Sequence, residues 1–137
     1  MTPSRILVAD DSPSQLEYLC DVVRNYLPHW EIVPAHNYDS AVKCVQTVRL
    51  RAAVVDLFLS EPPVNHEGVD ILRRLLKKDS ACYRILVTGK LMEWDVTDDG
   101  IVDAFVSFHR CNRDRRSLLE TALDDCLEHC RRGAARS

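Results

Sequence analysis

Short apolar runs alternate with amphipathic stretches five times along this chain, and few architectures accept that pattern. The runs are Arg5–Ala9 (RILVA), Glu31–Ala35 (EIVPA), Ala52–Leu57 (AAVVDL), Tyr83–Thr88 (YRILVT) and Asp103–Ser107 (DAFVS). Three of them are apolar without alternation, as in strands buried on both faces of a parallel sheet. Pro34 gives the second run no backbone donor at that position, so an edge place suits it. Between the runs, apolar residues recur at helical spacing. Leu16, Leu19, Cys20, Val23 and Leu27 form one stripe, and Ala41, Val42, Val45 and Val48 a second. Val69, Leu72 and Leu76 form a third, and Leu119, Ala122, Leu123, Cys126, Leu127 and Cys130 a long closing one. Ser12-Pro13-Ser14-Gln15 reads as the start of the first helix, with Ser12 as N-cap, Pro13 in the first turn and Gln15 completing a capping box. Pro28 ends that helix. Residues 90–100 carry the weakest periodicity and support only a short or irregular helix. The expectation is an α/β three-layer sandwich: an open, mostly parallel sheet with helices on both faces and its site at the carboxyl ends of the strands.

Counting residues removes several function classes. The chain has 137 residues, enough for one domain with an unstapled core, and a net charge of −3, which speaks against a general nucleic-acid binder. The four glycines, at 68, 89, 100 and 133, leave the first 67 residues without a phosphate-cradling loop, so neither a dinucleotide fingerprint nor a P-loop exists. A G-x-S-x-G elbow is also missing. The sequence has neither a membrane span nor a signal-peptide core, so a cytoplasmic location is expected. The six cysteines are scattered through apolar-periodic segments without a C-x-x-C, and read as free thiols; Cys126, His129 and Cys130 share a helix but lack a second ligand cluster.

Chemistry is concentrated at the carboxyl ends of the apolar runs. The first ends in Asp10-Asp11, the third near Asp56 and the fourth in Thr88-Gly89. Brought together, three carboxylates repel one another, and a bound Mg²⁺ relieves that repulsion with hard oxygen ligands. The same set suits phosphoryl transfer: one carboxylate attacks phosphorus, the others hold the metal, and a hydroxyl and a backbone N–H receive phosphoryl oxygens. The alternative is that these acids merely cap strands and helices.

These motifs, Leu7-Val8-Ala9-Asp10-Asp11-Ser12, Val54-Val55-Asp56-Leu57, Leu86-Val87-Thr88-Gly89 and Phe105, resemble the receiver domain of two-component response regulators over residues 4–131. Residues 132–137 are expected to form a frayed tail. The resemblance implies a flavodoxin-like (βα)5 fold with strand order 2-1-3-4-5. It implies that Asp56 accepts a phosphoryl group from a sensor histidine kinase or phosphotransfer protein. Asp11, Asp56 and the Phe58 carbonyl would ligate Mg²⁺, with Asp10 acting mainly through water. Thr88 and the Gly89 amide would receive phosphoryl oxygens, and Phe105 would be the switch aromatic. The output would be a contact with another protein, without direct nucleic-acid or membrane binding. The chain would be a monomer or a homodimer through the face of the fourth helix, fifth strand and closing helix.

Three departures stand out. The family's lysine, three residues after the switch aromatic, is replaced by Phe108, with His109 following in place of proline; Lys90 and Arg110 are the nearby candidates to substitute. The loop from Asp56 to Gly68 is longer than the usual pattern, and the segment from Thr88 to Phe105 is slightly short. These changes leave open a phosphorylation-independent pseudo-receiver that serves as an interaction module. A small aspartyl-phosphate phosphatase is disfavoured, because Phe58 stands where a second acid/base would be needed. Other features read as ordinary surface or packing: the acidic stretch 95–106 lacks a glutamate at its twelfth position, and the arginines after His109 suit a solvated helix face. Trp94, with Leu91 and Met92, suits either an exposed patch or a packing face.

Overall fold

The computed structural model describes residues 3–59, 67–89, 100–107 and 115–136. Its strands are β1 (Arg5–Ala9), β2 (Glu31–Ala35), β3 (Ala52–Asp56), β4 (Tyr83–Thr88) and β5 (Ala104–Ser107). All neighbours pair in parallel, in the order β2-β1-β3-β4-β5. The helices are α1 (Pro13–Tyr26), α2 (Tyr38–Thr47), α3 (Glu67–Lys78) and α4 (Arg115–Arg136). This is the expected three-layer α/β architecture. Pro34 lies on the edge strand β2, where its missing donor leaves no neighbour unpaired.

The unbroken apolar runs follow from cores on both sheet faces. Leu7, Ala9, Val55 and Leu86 face a core shared with α2 and α3, while Ile6, Val8, Val54, Ile85 and Val87 face one shared with α1 and α4. Because successive side chains point to opposite faces, every residue of a central strand must be apolar. Within β4 the exceptions are Thr88, at the strand end, and Arg84. Arg84 is 4% exposed, and its guanidinium donates to the carbonyls of Ile101 (2.7 Å), Cys82 (2.6 Å) and Ser80 (3.3 Å) and pairs with Asp103 (3.3 Å). These bonds fix the segment that leads into β5, which turns at Gly100 with φ +70°.

Local details differ from expectation at several ends. β3 stops at Asp56 rather than Leu57, because the Leu57 carbonyl turns to accept the Gly68 N–H (2.9 Å) at the start of α3. β5 begins at Ala104 rather than Asp103, because the Asp103 carboxylate takes the Arg84 N–H (2.9 Å) that a ladder carbonyl would otherwise accept. α4 stays helical to Arg136 where a frayed tail was expected from 132; Glu128 pairs with Arg131 (3.7 Å) and Arg132 (3.5 Å) and supports its last turns. The irregular helix expected within 90–100 falls largely outside the described residues. Among the described residues, no helix is long and apolar enough to cross a membrane.

Candidate functional site

The carboxyl ends of β1 and β3 carry the acids. β1 and β3 are neighbours, with Ala9 opposite Val55, so Asp10 and Asp56 follow them side by side. Carboxylate oxygens of Asp10, Asp11 and Asp56 all lie within 4.8 Å of one another. Asp10 is 1% exposed, whereas Asp11 and Asp56 are half-buried.

Two hydrogen bonds hold Asp10. Its N–H donates to the Ala35 carbonyl (3.1 Å), which extends the β1–β2 pairing past the strand end. Its Oδ1 accepts the Ser12 N–H (2.9 Å). Its Oδ2 is buried and has no hydrogen-bond partner among the described residues. Burial pushes the Asp10 carboxyl from 3.8 up to about 6; the Ser12 N–H opposes that rise and the Asp11 charge adds to it. The Ser12 interaction revises the helix start. Ser12 does cap α1, its hydroxyl accepting the Gln15 N–H (3.4 Å), but its own N–H goes to Asp10 and not back to a Gln15 side chain. Half of the expected capping box has been given over to positioning a carboxylate.

This donor set fits Mg²⁺. A buried, unpartnered carboxylate oxygen and two more acids within 4.8 Å offer hard oxygens at a spacing one octahedral ion can bridge, directly or through water. One open side toward solvent, where Asp11 and Asp56 are half-buried, suits an ion that keeps several waters.

The other expected site residues that the structure describes lie just beyond β3, at the end of β4 and on β5. Asp56 pairs in register with Val87, so Thr88 sits one residue further along the adjacent strand; Thr88 is 1% exposed and Gly89 is exposed beside it. Phe105 is opposite Leu86 and Ser107 opposite Thr88, which puts Phe105 and Thr88 on the same pleat face, two residues apart along the sheet. Phe105 is half-buried against the core shared with α2 and α3, as is Phe58 just beyond Asp56. Phe108, His109, Lys90 and Arg110 lie outside the described residues, as do Leu91, Met92, Trp94 and most of the long loop after Asp56.

Sequence reasoning missed Gly68. A Cβ there would lie 2.1 Å from the Asp56 carbonyl oxygen and 2.9 Å from the Leu57 Cα, so only glycine lets the first turn of α3 approach the end of β3 this closely. The available signal was an isolated glycine at the head of an apolar-periodic stretch soon after the strand-end acid.

No family model matches the chain, and no curated protein does either. Solved structures do. A response regulator receiver domain protein from Methanospirillum hungatei superposes with a TM-score of 0.71 at 19% identity, covering 96% of this chain and 99% of that one. This chain has the receiver fold. The N-terminal domain of a three-domain response regulator from Carboxydothermus hydrogenoformans superposes with a TM-score of 0.73 at 16% identity, covering 96% and 99%. A response regulator protein from Thermotoga maritima, solved in complex with Mg²⁺ and beryllofluoride, gives 0.63 at 23% identity, covering 84% and 98%. With the receiver fold in place, the acids stand at the switch end of the sheet, beside the point where strand order reverses between β1 and β3.

Proposed function

We infer that the chain is a signalling receiver that accepts a phosphoryl group on Asp56 and passes the signal on through protein contacts. The observation that carries this reading is the Asp10, Asp11 and Asp56 cluster with its buried, unpartnered oxygen. Unfilled, that arrangement costs stability; its return is a cation site beside a carboxylate nucleophile.

Asp56 is the nucleophile because it ends the central strand β3 and is half-buried, open to an incoming phosphoryl donor. Its carboxylate oxygen attacks phosphorus of a phosphohistidine on a sensor kinase or phosphotransfer protein. The P–N bond breaks, the imidazole leaves, and an acyl phosphate forms on Asp56. Asp11, Asp56 and the Phe58 carbonyl would hold Mg²⁺, with Asp10 bonding through water. When bound, the ion supplies charge neutralisation for the carboxylates and the phosphoryl oxygens. Thr88 and the Gly89 amide receive phosphoryl oxygens from the adjacent strand end. Movement of Thr88 is transmitted to Phe105 on the same sheet face, which alters the surface around β5.

The test is incubation with acetyl phosphate and Mg²⁺, followed by intact mass spectrometry. A single phosphoryl adduct is expected in the native chain and none in Asp56→Asn. No adduct in the native chain, with or without Mg²⁺, would overturn the reading and favour the phosphorylation-independent interaction module that Phe108 suggests.

A further inference from the structure

The opposite end of the sheet carries a second cluster of reactive groups. A cavity of about 750 Å³ opens where the chain enters β1, β3 and β4 and where the last turns of α4 pass over them. Five strand residues at about 3.3 Å each separate it from the carboxylates by roughly 16 Å. Arg5, Arg49, Arg51 and His129 line it, and among its described lining residues the one carboxylate is Asp79, which accepts the Ala81 N–H (3.0 Å). Arg5 is paired with Glu31 (3.1 Å), Arg51 donates to the Ser4 hydroxyl (3.1 Å), and His129 Nε2 donates to the Ala81 carbonyl (2.9 Å). Arg49 is exposed and has no hydrogen-bond or ion-pair partner among the described residues. On a chain whose net charge is −3, this wall is locally cationic.

One thiol in that wall is accessible. Cys130 lines the cavity and is half-buried, whereas Cys82 and Cys126 beside it are 1% and 0% exposed. The Cys126 thiol and the Arg51 guanidinium favour a thiolate on Cys130, against the opposing pull of burial. The other described thiols go the opposite way: burial raises Cys20, Cys44 and Cys82, and the interaction with Cys130 together with burial raises Cys126.

We propose that Cys130 is a thiol–disulfide exchange site for anionic low-molecular-weight disulfides, whose carboxylates are recognised by Arg49 and Arg51. The Cys130 thiolate attacks one sulfur of the small disulfide. A new S–S bond forms as the original one breaks, and the departing thiolate takes the electron pair and then a proton from water. Cys130 is oxidised to a mixed disulfide and half of the small molecule is reduced to a thiol. Cys126 cannot resolve the adduct from within the helix, because Cβ atoms four residues apart lie about 5–6 Å from one another and a disulfide needs about 3.5–4.5 Å. Cys82 is buried and burial holds its thiol protonated, so the adduct persists until an external thiol removes it.

The test uses the full chain carrying Cys111→Ser, since Cys111 lies outside the described residues. It compares glutathione disulfide with the neutral 2-hydroxyethyl disulfide, reading rate by intact mass and site by peptide mapping. One adduct at Cys130 is expected, absent in Cys130→Ser. Arg49→Ala should slow the glutathione reaction about five-fold while leaving the neutral one within about two-fold. Arg51→Ala should slow both, because it acts on the sulfur as well as on the ligand. Modification spread over Cys20 and Cys44, or an Arg49→Ala effect equal for both probes, would overturn the proposal. Thermal melts of each variant confirm folding, and Mg²⁺ binding at the far end of the sheet should be unchanged, so a failure here is distinguishable from a failure of the phosphoryl-acceptor reading.

Discussion

Asp10→Asn should stabilise the metal-free protein at neutral pH while weakening its cation site. The Asp10 carboxyl rises from 3.8 to about 6 on folding, chiefly through burial. Between those values the folded state holds a proton that the unfolded state has released, so stability falls as pH rises through this window. At about 1.4 kcal/mol per pKa unit, the two-unit shift costs about 3 kcal/mol at pH 7. The cost should be about half as large at pH 5 and should vanish well below pH 4. Asparagine keeps an acceptor for the Ser12 N–H and carries no charge, and its amide N–H₂ can donate toward Asp11 and Asp56. Urea unfolding of both proteins in a chelator, from pH 4 to pH 8, reads the difference directly. Asp10→Asn should gain about 2–3 kcal/mol at pH 7 and lose that advantage as the solution is acidified. Saturating Mg²⁺ should narrow the gap, because ion binding stabilises the native chain by about 1.4 kcal/mol for every tenfold excess over its Kd and the variant binds more weakly. An advantage that is absent at pH 7, or one that grows toward low pH, would refute the reasoning.

Gly68→Ala should lower stability by about 1–3 kcal/mol and also weaken Mg²⁺ affinity, because the new Cβ meets backbone atoms of Asp56 and Leu57 that cannot rotate away; paired melts and metal titrations check both effects. Arg84→Met fills similar volume but leaves the carbonyls of Cys82 and Ile101 without their donor and Asp103 without its cation, and should cost about 3–5 kcal/mol in urea unfolding. Ser12→Ala removes the hydroxyl that caps α1 but keeps the N–H that holds Asp10, so it should cost about 1 kcal/mol with little change in Mg²⁺ affinity.

The sheet and the acids were legible because each rests on a local signal. Unbroken apolar runs such as AAVVD and YRILVT can be buried on both faces only in a central parallel strand, and Pro34 marks the edge. Asp10, Asp11, Asp56 and Thr88 stand at strand ends, where the topology gathers them. What escaped the sequence depends on long-range approach. Gly68 matters because α3 passes within a Cβ radius of the Asp56 carbonyl, a fact of packing that spacing does not encode. Arg84 reads as an interruption of an apolar strand, yet its partners Ile101 and Asp103 lie 17 and 19 residues away. The Ser12 N–H was assigned to a capping box from the pattern alone, and the nearer Asp10 carboxylate outcompetes Gln15 for it. The cationic cavity around Cys130 was missed for the same reason: Arg5, the Arg49–Arg51 stretch and His129 come from three separated segments that only the sheet's amino-terminal end brings together.

The most direct test of the phosphoryl-acceptor reading is a two-dimensional amide NMR titration with Mg²⁺ and then beryllofluoride, with Asp56→Asn as control. The expected result is Mg²⁺ shifts near Asp10, Asp11 and Asp56, followed by beryllofluoride shifts that reach Thr88, Gly89 and Phe105 in the native chain alone. Spectra unmoved at both steps would contradict the account and leave the acidic cluster as scaffold beneath a fixed binding surface.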